Sequence, residues 1–256
     1  MNCVVCNQIL EEPKGVLTIC KKRECKKVLE SLIVGDYVVS WLRDRTALAH
    51  LHLTLGYKAF QSARWKLIAH PCPVYFDEHE DLVRSIISIR ELFRVTHTND
   101  GELAKRIGKD SYVLVKFTLM SAPSLELVDS SRGYKIFAIP NAEAIENPVF
   151  HGSDEDNWYS ILRNGLKSCS GTVWQQNGAM EGNGIYLADS ISVSLGHCRG
   201  DKVIGAYKWT DGPSGKKRLA YVIPDSSHIQ LQFIIVSKNI DLSMQKEIIK
   251  KIKEYK

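Results

Sequence analysis

Apolar positions change their spacing along the chain, and the change divides it into a helical part and a strand-rich part. From residue 28 to about residue 97, apolar residues recur at helical spacing. This pattern predicts helices over 28–42, 47–60 and 77–93. Pro71 and Pro73 break the pattern between the last two. We therefore expect a helical region in the first part of the chain.

Strand signals dominate the chain after residue 100. Short runs rich in β-branched and aromatic residues predict strands over 112–120, 135–140, 149–150, 185–187, 203–209, 218–223 and 228–236. Trp158, Ile161 and Leu162 recur at helical spacing before Gly165, a residue type that commonly ends a helix. Further helices are predicted over 190–198 and 245–255, and a hairpin turn over 211–215.

Composition places the chain among ordinary globular proteins. Its 256 residues are 44% hydrophobic and 25% charged, with a formal net charge of +5. A positive charge suits phosphate-bearing partners, but a solvated surface is the simpler explanation. No apolar run approaches the length of a membrane span, and the N-terminus lacks a signal-peptide pattern. We therefore expect an intracellular protein, cytoplasmic or nuclear, without a membrane span.

Four of the seven cysteines lie close together near the N-terminus. Two residues separate Cys3 from Cys6, and four separate Cys20 from Cys25. An odd number of cysteines does not suit a closed set of disulfides, and the lack of an export signal favours a reducing compartment. Paired thiolates suit tetrahedral zinc, although the second pair is spaced slightly wide of the commonest pattern. We predict a small zinc-binding module over residues 1–27.

The predicted zinc module lies in a basic neighbourhood, formed by Lys21, Lys22, Arg23, Lys26 and Lys27. Binding of nucleic acid is therefore one hypothesis for this module. The alternative is that the metal replaces a missing core and the lysines are simply solvated. We favour the alternative, because no aromatic residues interleave the basic stretch as a single-strand binder would need.

One stretch in the second part carries the candidate chemistry. His151 ends a strand signal beside Gly152, whose backbone N–H and C=O groups can approach an amide closely. Tyr186 and His197 can stack on a flat aromatic ring, and Ser194 can exchange a hydrogen bond with it. The alternative is structural: a buried histidine bonded to backbone, a core tyrosine and turn glycines. On spacing alone the alternative is favoured, because each feature is common.

Three motifs follow one another along this stretch. They are His151-Gly152-Ser153 with Asn157, the glycine-rich run 178–189 that contains Tyr186, and the serine-rich run 190–198 that contains Ser194 and His197. In this order they resemble the catalytic domain of the poly(ADP-ribose) polymerase (PARP) superfamily of ADP-ribosyltransferases. The resemblance is strong over about residues 148–198 and weaker from there to the C-terminus.

The resemblance implies that the motifs bind the nicotinamide end of NAD⁺. The Gly152 backbone and the Ser194 hydroxyl would hold the carboxamide, and Tyr186 would stack on one face of the ring. His197 stands where the family usually has a second aromatic residue. It would stack on the other face, and its stacking would respond to protonation.

The resemblance also implies roles on the adenosine side of the same substrate. His151 would bond the ribose nearer to adenine. Ser153 and Asn157 would line the adenosine side of the crevice.

A departure from the family lies on a late strand. Polymerising members carry a glutamate there, which orients the 2′-hydroxyl of the nicotinamide ribose and the incoming acceptor. The corresponding strand here is 232–236, with Phe233 in the glutamate's place; a one-residue slip would put Gln232 there. Neither residue can act as a carboxylate. The resemblance therefore implies transfer of a single ADP-ribose unit rather than chain elongation.

The fold, domains and activity follow from the same resemblance. The expected architecture is α+β: an ADP-ribosyltransferase fold of two packed antiparallel sheets with an NAD crevice, over residues 101–256. A helical region over 28–100 and the zinc module over 1–27 would precede it. The expected reaction is mono-ADP-ribosyl transfer from NAD⁺ to a protein side chain, including the protein's own. The alternative is a catalytically inactive module that binds NAD⁺ or ADP-ribose, with a zinc region that recruits partners or nucleic acid.

Overall fold

The computed structural model divides the chain into two compact units, Met1–Pro123 and Ser124–Lys256, and each is described by itself. The residues described are 22–25, 27, 35–69, 76, 78–94, 99–131, 133–168, 182–210 and 220–256. No helix in these ranges is long and apolar enough to span a membrane.

The predicted zinc site falls mostly outside the described residues. Cys3, Cys6 and Cys20 lie outside them, while Cys25 is described and buried. The described ranges contain no group of three or more histidine, cysteine, aspartate or glutamate residues that could hold a metal ion. The zinc module therefore stays a prediction from the sequence.

The first unit is helical in all its described elements. These are α1 (Tyr37–Asp44), α2 (Thr46–Gln61), α3 (Trp65–Ile68), α4 (His79–Arg84), α5 (Ile89–Arg94), α6 (Asp100–Ile107) and α7 (Lys109–Met120). Helix α2 is buried along much of its length, with Leu53, Leu55 and Phe60 almost inaccessible to solvent. Apolar burial of this kind supplies most of the stability of such short helices.

A buried aspartate holds the first unit together at the start of α1. The Asp100 carboxyl group accepts the backbone N–H groups of Val38, at 3.1 Å, and Val39, at 2.9 Å. It also accepts the Tyr112 hydroxyl at 2.7 Å. Asp100 thus satisfies the first-turn donors of α1 and links this helix to α6 and α7. The predicted helix over 28–42 is confirmed only from Tyr37, because residues 28–34 lie outside the described ranges.

The strand predicted over 112–120 is wrong, because these residues form most of α7. Its buried residues follow one another almost without interruption: Tyr112, Val113, Leu114, Val115, Phe117, Thr118 and Leu119. A continuous apolar run has neither a helical nor a strand period, so the sequence pattern cannot separate a strand from a helix that is buried nearly all round. Here tertiary packing overrides the β propensity of the valines and aromatic residues.

The single helix predicted over 77–93 is interrupted. It forms α4 and α5, and residues 85–88 between them are not helical. At the end of α4, the Ser85 hydroxyl donates to the Asp81 carbonyl oxygen at 2.8 Å. This side-chain bond competes with the helical backbone pattern, and the isoleucines that follow Ser85 are weak helix formers.

The second unit is built on antiparallel sheets. Its strands are β1 (Glu126–Ser131), β2 (Tyr134–Ala138), β3 (Val149–Gly152), β4 (Ile185–Leu187), β5 (Lys202–Trp209), β6 (Tyr221–Ile223) and β7 (Ile229–Ser237). A five-stranded sheet has the order β1-β2-β7-β5-β3, and β4 pairs with β6 in a two-stranded sheet. All these pairings are antiparallel, so the α+β class with antiparallel sheets is confirmed.

Three helices complete the described part of the second unit. They are α8 (Trp158–Asn164), α9 (Ile191–Leu195) and α10 (Leu242–Lys253), with short 3₁₀ turns at Glu155–Asn157 and Ser226–His228. Helix α10 buries Ile248 and Ile252 against one face of the large sheet, in a core shared with Phe150 of β3 and Phe233 of β7. The hairpin turn predicted over 211–215 lies outside the described residues.

The other face of the large sheet packs on the small sheet. Val149 of β3 and Tyr207 of β5 share a core with Ile185 of β4 and Ile223 of β6. Val149 and Phe150 are neighbours in β3 and enter different cores, as the two-residue period of a strand requires. Because it lies at an edge of the large sheet, β3 meets the small sheet and α9 at once.

Candidate functional site

The edge strand β3 presents backbone groups on the side away from its neighbour β5. On that side Phe150 exchanges two hydrogen bonds with Ala188, at 2.6 Å and 2.9 Å. Successive residues of a strand turn their N–H and C=O groups to alternate sides. The groups of Gly152 therefore point to the same side as those of Phe150. In the described part of the chain the bridge to Ala188 is isolated, so it does not continue to Gly152.

The imidazole of His151 is fixed by a backbone carbonyl group. Its Nδ1 atom lies 3.0 Å from the Tyr186 carbonyl oxygen. A carbonyl oxygen can only accept, so Nδ1 carries the proton. Burial lowers the pKa of His151 to about 4, opposed by the bond to Tyr186 and reinforced by the charge of His197. At neutral pH the ring is uncharged, and its Nε2 atom is left as an acceptor.

A tryptophan that sequence reasoning assigned only to a helix face supports His151. The ring centroids of His151 and Trp158 are 6.2 Å apart, and Trp158 is fully buried. Gly205 lies opposite His151 in the sheet register. A Cβ atom there would lie 2.8 Å from Trp158 and 2.6 Å from Tyr207. The absence of a side chain at Gly205 thus makes room for both rings, which no local sequence pattern indicated.

Helix α9 packs closely on β3 at Gly152. A Cβ atom on Gly152 would overlap the Ser194 carbonyl oxygen, and it would also lie 3.0 Å from the Cys198 sulfur. The glycine is therefore needed for packing as well as for presenting its own backbone. Burial raises the pKa of the Cys198 thiol.

The Ser194 hydroxyl is buried and already bonded within the protein. It donates to the Phe150 carbonyl oxygen at 3.1 Å. Its lone pairs are left to accept an N–H from a carboxamide; donating to a ligand would require exchanging the bond to Phe150. The bond also fixes α9 to the strand residue before His151.

The two residues predicted to stack on the nicotinamide ring lie on different elements. Tyr186, in β4, is half-buried, and its hydroxyl donates to the Gly182 carbonyl oxygen at 2.7 Å. His197 follows α9 and is exposed, and its backbone N–H donates to the Ser194 carbonyl oxygen at 3.1 Å.

The residues predicted for the adenosine side contact each other. The Asn157 side-chain amide donates to the Ser153 hydroxyl at 2.9 Å, and both residues are half-buried. Asp154, between them in sequence, accepts the Arg199 N–H at 3.1 Å, which ties the residues after α9 to those after β3.

Phe233 does not share the surface that carries His151. In the register, Phe150 lies opposite Ala206 and Ala206 opposite Phe233, so these side chains share one face. The Phe233 ring is fully buried there, edge-on to Tyr255 with centroids 5.0 Å apart. His151, one residue after Phe150, lies on the opposite face. The alternation of β7 therefore places Phe233 in the core under α10, apart from His151, and its role in the site stays a prediction.

Gln232, the alternative position, is buried at an irregularity of β7. The register skips Gln232 between the pairs Ala206–Phe233 and Tyr207–Leu231. Its side-chain oxygen accepts the Glu143 backbone N–H at 2.8 Å, and the residue is only 1% exposed. Its amide oxygen is thus bonded to the loop after β2.

Comparison with known proteins finds a similarity over this region. Residues 84–206 match the family model described as "Poly(ADP-ribose) polymerase catalytic domain". The match includes β3, β4 and α9, with His151, Gly152, Tyr186, Ser194 and His197, and it spans the division between the two compact units. The domain boundary predicted between residues 100 and 101 stays a prediction.

Two curated relatives extend the similarity. Proteins named "Protein mono-ADP-ribosyltransferase PARP8", from Mus musculus and Homo sapiens, are each 24% identical over 235 residues. The alignments cover 76% of this chain and 28% of each relative, so the chain spans little more than a quarter of their length. The motifs, their placement around β3 and these matches make the chain similar to the catalytic domain of the PARP superfamily over residues 84–206.

Proposed function

We propose that this chain transfers one ADP-ribose unit from NAD⁺ to a protein side chain, including its own, and releases nicotinamide. Similarity to the PARP catalytic domain supports ADP-ribosyl transfer in general. The relatives' printed names specify the mono-transferring class for those proteins. The observation that carries the proposal is the edge of β3, where the Gly152 backbone groups lie beside a neutral His151 with an acceptor nitrogen.

The residues present fit the nicotinamide end of NAD⁺. A carboxamide offers a donor and an acceptor, which match the paired N–H and C=O groups of a strand edge such as Gly152. The half-buried Tyr186 suits stacking on one face of the ring, and His197 suits the other. The unprotonated Nε2 atom of His151 suits a ribose hydroxyl, because it can accept the hydroxyl proton. Ser153 and Asn157 would line the adenosine side.

The chemistry requires positioning rather than a strong catalytic acid. The bond between the anomeric carbon and the ring nitrogen breaks, and nicotinamide leaves as a neutral molecule with the bonding electron pair. A nucleophilic side chain of the acceptor forms the new bond to that carbon and loses its proton to solvent. The protein's residues orient the substrate and exclude competing geometries, which lowers the barrier by reducing the loss of entropy in the transition state.

Transfer of a single unit fits the residues on β7. Phe233 is packed in the core, and Gln232 carries an amide that is bonded to the Glu143 backbone. Neither supplies a carboxylate to activate a ribose hydroxyl as the next acceptor. Chain elongation needs that activation, so the reaction would stop after one unit.

The test is intact-mass analysis of the purified chain after incubation with isotopically labelled NAD⁺. The wild-type protein should gain mass increments of one ADP-ribose per modified site, and peptide fragmentation should locate them. A variant with His151→Ala and Tyr186→Ala should gain none. The control is His228→Ala, which removes an exposed histidine of the same unit and should label normally. Labelling of the double variant at the wild-type level would contradict the proposal.

The alternative function is an inactive module that binds NAD⁺ or ADP-ribose. The observation that favours it is the lack of a carboxylate at both Gln232 and Phe233. In that case NAD⁺ would raise the melting temperature of the wild-type protein without changing its mass. An intracellular location, zinc at the N-terminal cysteines and nucleic-acid partners stay predictions from the sequence.

A further inference from the structure

Helix α10 exposes one stripe of side chains in which an apolar residue precedes three lysines. Leu242 is 71% exposed, and Lys246, Lys250 and Lys253 are exposed as well. Their spacing of four, four and three residues places them along one side of the helix. The opposite side buries Ile248 and Ile252 in the core. We call Leu242, Lys246, Lys250 and Lys253 the α10 stripe.

The lysines of the α10 stripe carry uncompensated charge. In the part of the chain that the structure describes, none of the three makes an ion pair. Lys251, on the same helix, differs from them because it forms ion pairs with Asp129 at 2.8 Å and Glu247 at 3.2 Å. The helix therefore has one flank on which charges are satisfied internally and one on which they face solvent. Leu242, exposed on the second flank, offers one apolar contact beside these charges.

The α10 stripe begins beside the candidate site. The Ser192 hydroxyl donates to the Gln245 side-chain oxygen at 2.8 Å. Ser192 belongs to α9, the helix that contacts β3 through Ser194. Gln245 lies in the first turn of α10, between Leu242 and Lys246. A macromolecule held on the stripe would thus be held next to the proposed NAD⁺ site.

We propose that the α10 stripe docks an acidic segment of the protein that receives ADP-ribose, with an apolar side chain of that segment on Leu242. This inference rests on the proposed function and names the substrate class for it. Three cations in a row complement carboxylates along an extended or helical segment, and such complementarity mainly adds specificity and speeds association. Leu242 favours a protein over a nucleic acid, whose backbone offers no apolar group there. It also favours a protein over a lipid surface, because one leucine and three lysines form a weak membrane anchor.

The docking test measures binding without NAD⁺, so that its result is independent of catalysis. The probe is a fluorescein-labelled peptide in which triplets of glutamate alternate with triplets of leucine. Its binding is followed by fluorescence anisotropy at low and moderate salt concentrations. We expect saturable binding that weakens as salt rises. Combining Lys246→Glu, Lys250→Glu and Lys253→Glu should weaken it by about tenfold or more, because attraction becomes repulsion. Leu242→Ser should weaken it by a smaller factor, about threefold.

A matched control separates docking from general charge. Combining Lys66→Glu, Lys105→Glu and Arg106→Glu alters net charge equally at exposed positions of the first unit. This control should bind the acidic peptide like the wild type. Unchanged melting temperatures of both triple variants would show that they remain folded.

Three outcomes would overturn the docking proposal. One is equal weakening in the control triple variant, which would indicate a general charge effect. Another is equal binding of a peptide in which glutamine replaces every glutamate. The third is binding to phosphatidylserine-containing vesicles or to duplex RNA that is stronger than binding to the peptide and that is lost when Lys246→Glu, Lys250→Glu and Lys253→Glu are combined. A chain that binds the peptide but labels nothing would refute the proposed transferase while leaving the docking surface intact.

Discussion

The Nδ1 atom of His151 donates its proton to the backbone carbonyl oxygen of Tyr186, 3.0 Å away. This one bond joins two of the predicted substrate-binding residues, although they lie on different sheets. It also sets the tautomer, because the carbonyl oxygen can only accept and Nε2 is therefore left unprotonated. A ribose hydroxyl could donate to that nitrogen at neutral pH.

The stability of the protein should fall as pH falls towards 4 because of His151. Burial lowers its pKa in the folded protein to about 4, from an ordinary value of 6.5. Between these values the unfolded chain binds more protons than the folded one, so acid favours unfolding. Above pH 6.5 the protonation of His151 does not reduce the free energy of unfolding. Below pH 6.5 it reduces the free energy of unfolding by up to about 1.4 kcal/mol per pH unit. Urea unfolding at pH 7.0, 6.0 and 5.0 measures the slope.

The contribution of His151 is isolated by His151→Gln, which cannot titrate in this range. The free energy of unfolding of this variant should depend less steeply on pH than that of the wild type. His228→Gln removes an exposed histidine and should keep the wild-type slope. Identical slopes for wild type and His151→Gln would mean that the pKa of His151 is not lowered by burial.

Gly152→Ala should destabilise the second unit and abolish binding of nicotinamide analogues. The new Cβ would overlap the Ser194 carbonyl oxygen and force α9 away from β3. Overpacking of this kind costs about 1–3 kcal/mol. Gly196→Ala is the control, because Gly196 has ordinary helical dihedrals and its Cβ would meet only the Val193 carbonyl oxygen, at 3.3 Å. Calorimetric titration with 3-aminobenzamide should detect binding for the control alone; equal affinities would contradict the close approach.

The sequence predicted the elements around the candidate site better than those of the first unit, for a physical reason. The residues predicted for the nicotinamide site lie in short local motifs, and β3, β4 and α9 form where the strand and helix signals predict them. Helix α7 was predicted as a strand, because a fully buried apolar run carries no period. Phe233 was assigned to the site because alignment gives a position along a strand, and a shift of one residue reverses the face.

Long-range contacts were beyond sequence reasoning altogether. Asp100 lies 62 residues from Val38, and the distance between them in the chain gave no sign of their hydrogen bond. The space above Gly205 that holds Trp158 also depends on packing between distant elements. The first arrangement pairs buried donors with an acceptor, and the second makes room for two buried rings; no local sequence pattern records either.

Asp100→Ala should destabilise the first unit by about 3 kcal/mol. The change leaves the Val38 and Val39 N–H groups and the Tyr112 hydroxyl without their acceptor, and each buried donor left unpaired is costly. The control is Asp36→Ala. Asp36 occupies the position just before α1, but its side chain makes no capping bond. Its replacement should cost less than about 0.5 kcal/mol. The measurement is urea unfolding followed by far-UV circular dichroism; a larger effect at Asp36 would show that α1 is capped locally.

Gln232→Glu should not convert the protein into a polymerising enzyme. A carboxylate at this position would keep the bond that the Gln232 side-chain oxygen accepts from the Glu143 backbone N–H. A side chain held there cannot at the same time orient an acceptor ribose. Burying the new charge should also cost about 1–3 kcal/mol, because only one donor is placed to stabilise it. Intact-mass analysis with NAD⁺ should again show single ADP-ribose units per modified site.

The control for this change is Gln230→Glu, which adds the same charge at an exposed position of β7. Both variants should give the same pattern of single units if the Gln232 side chain is committed to the loop. Chains of two or more units on one residue, found for Gln232→Glu and absent for Gln230→Glu, would show that position 232 reaches the acceptor. In that event the lack of a carboxylate at position 232, and not the bond to Glu143, would be what limits the reaction to a single unit.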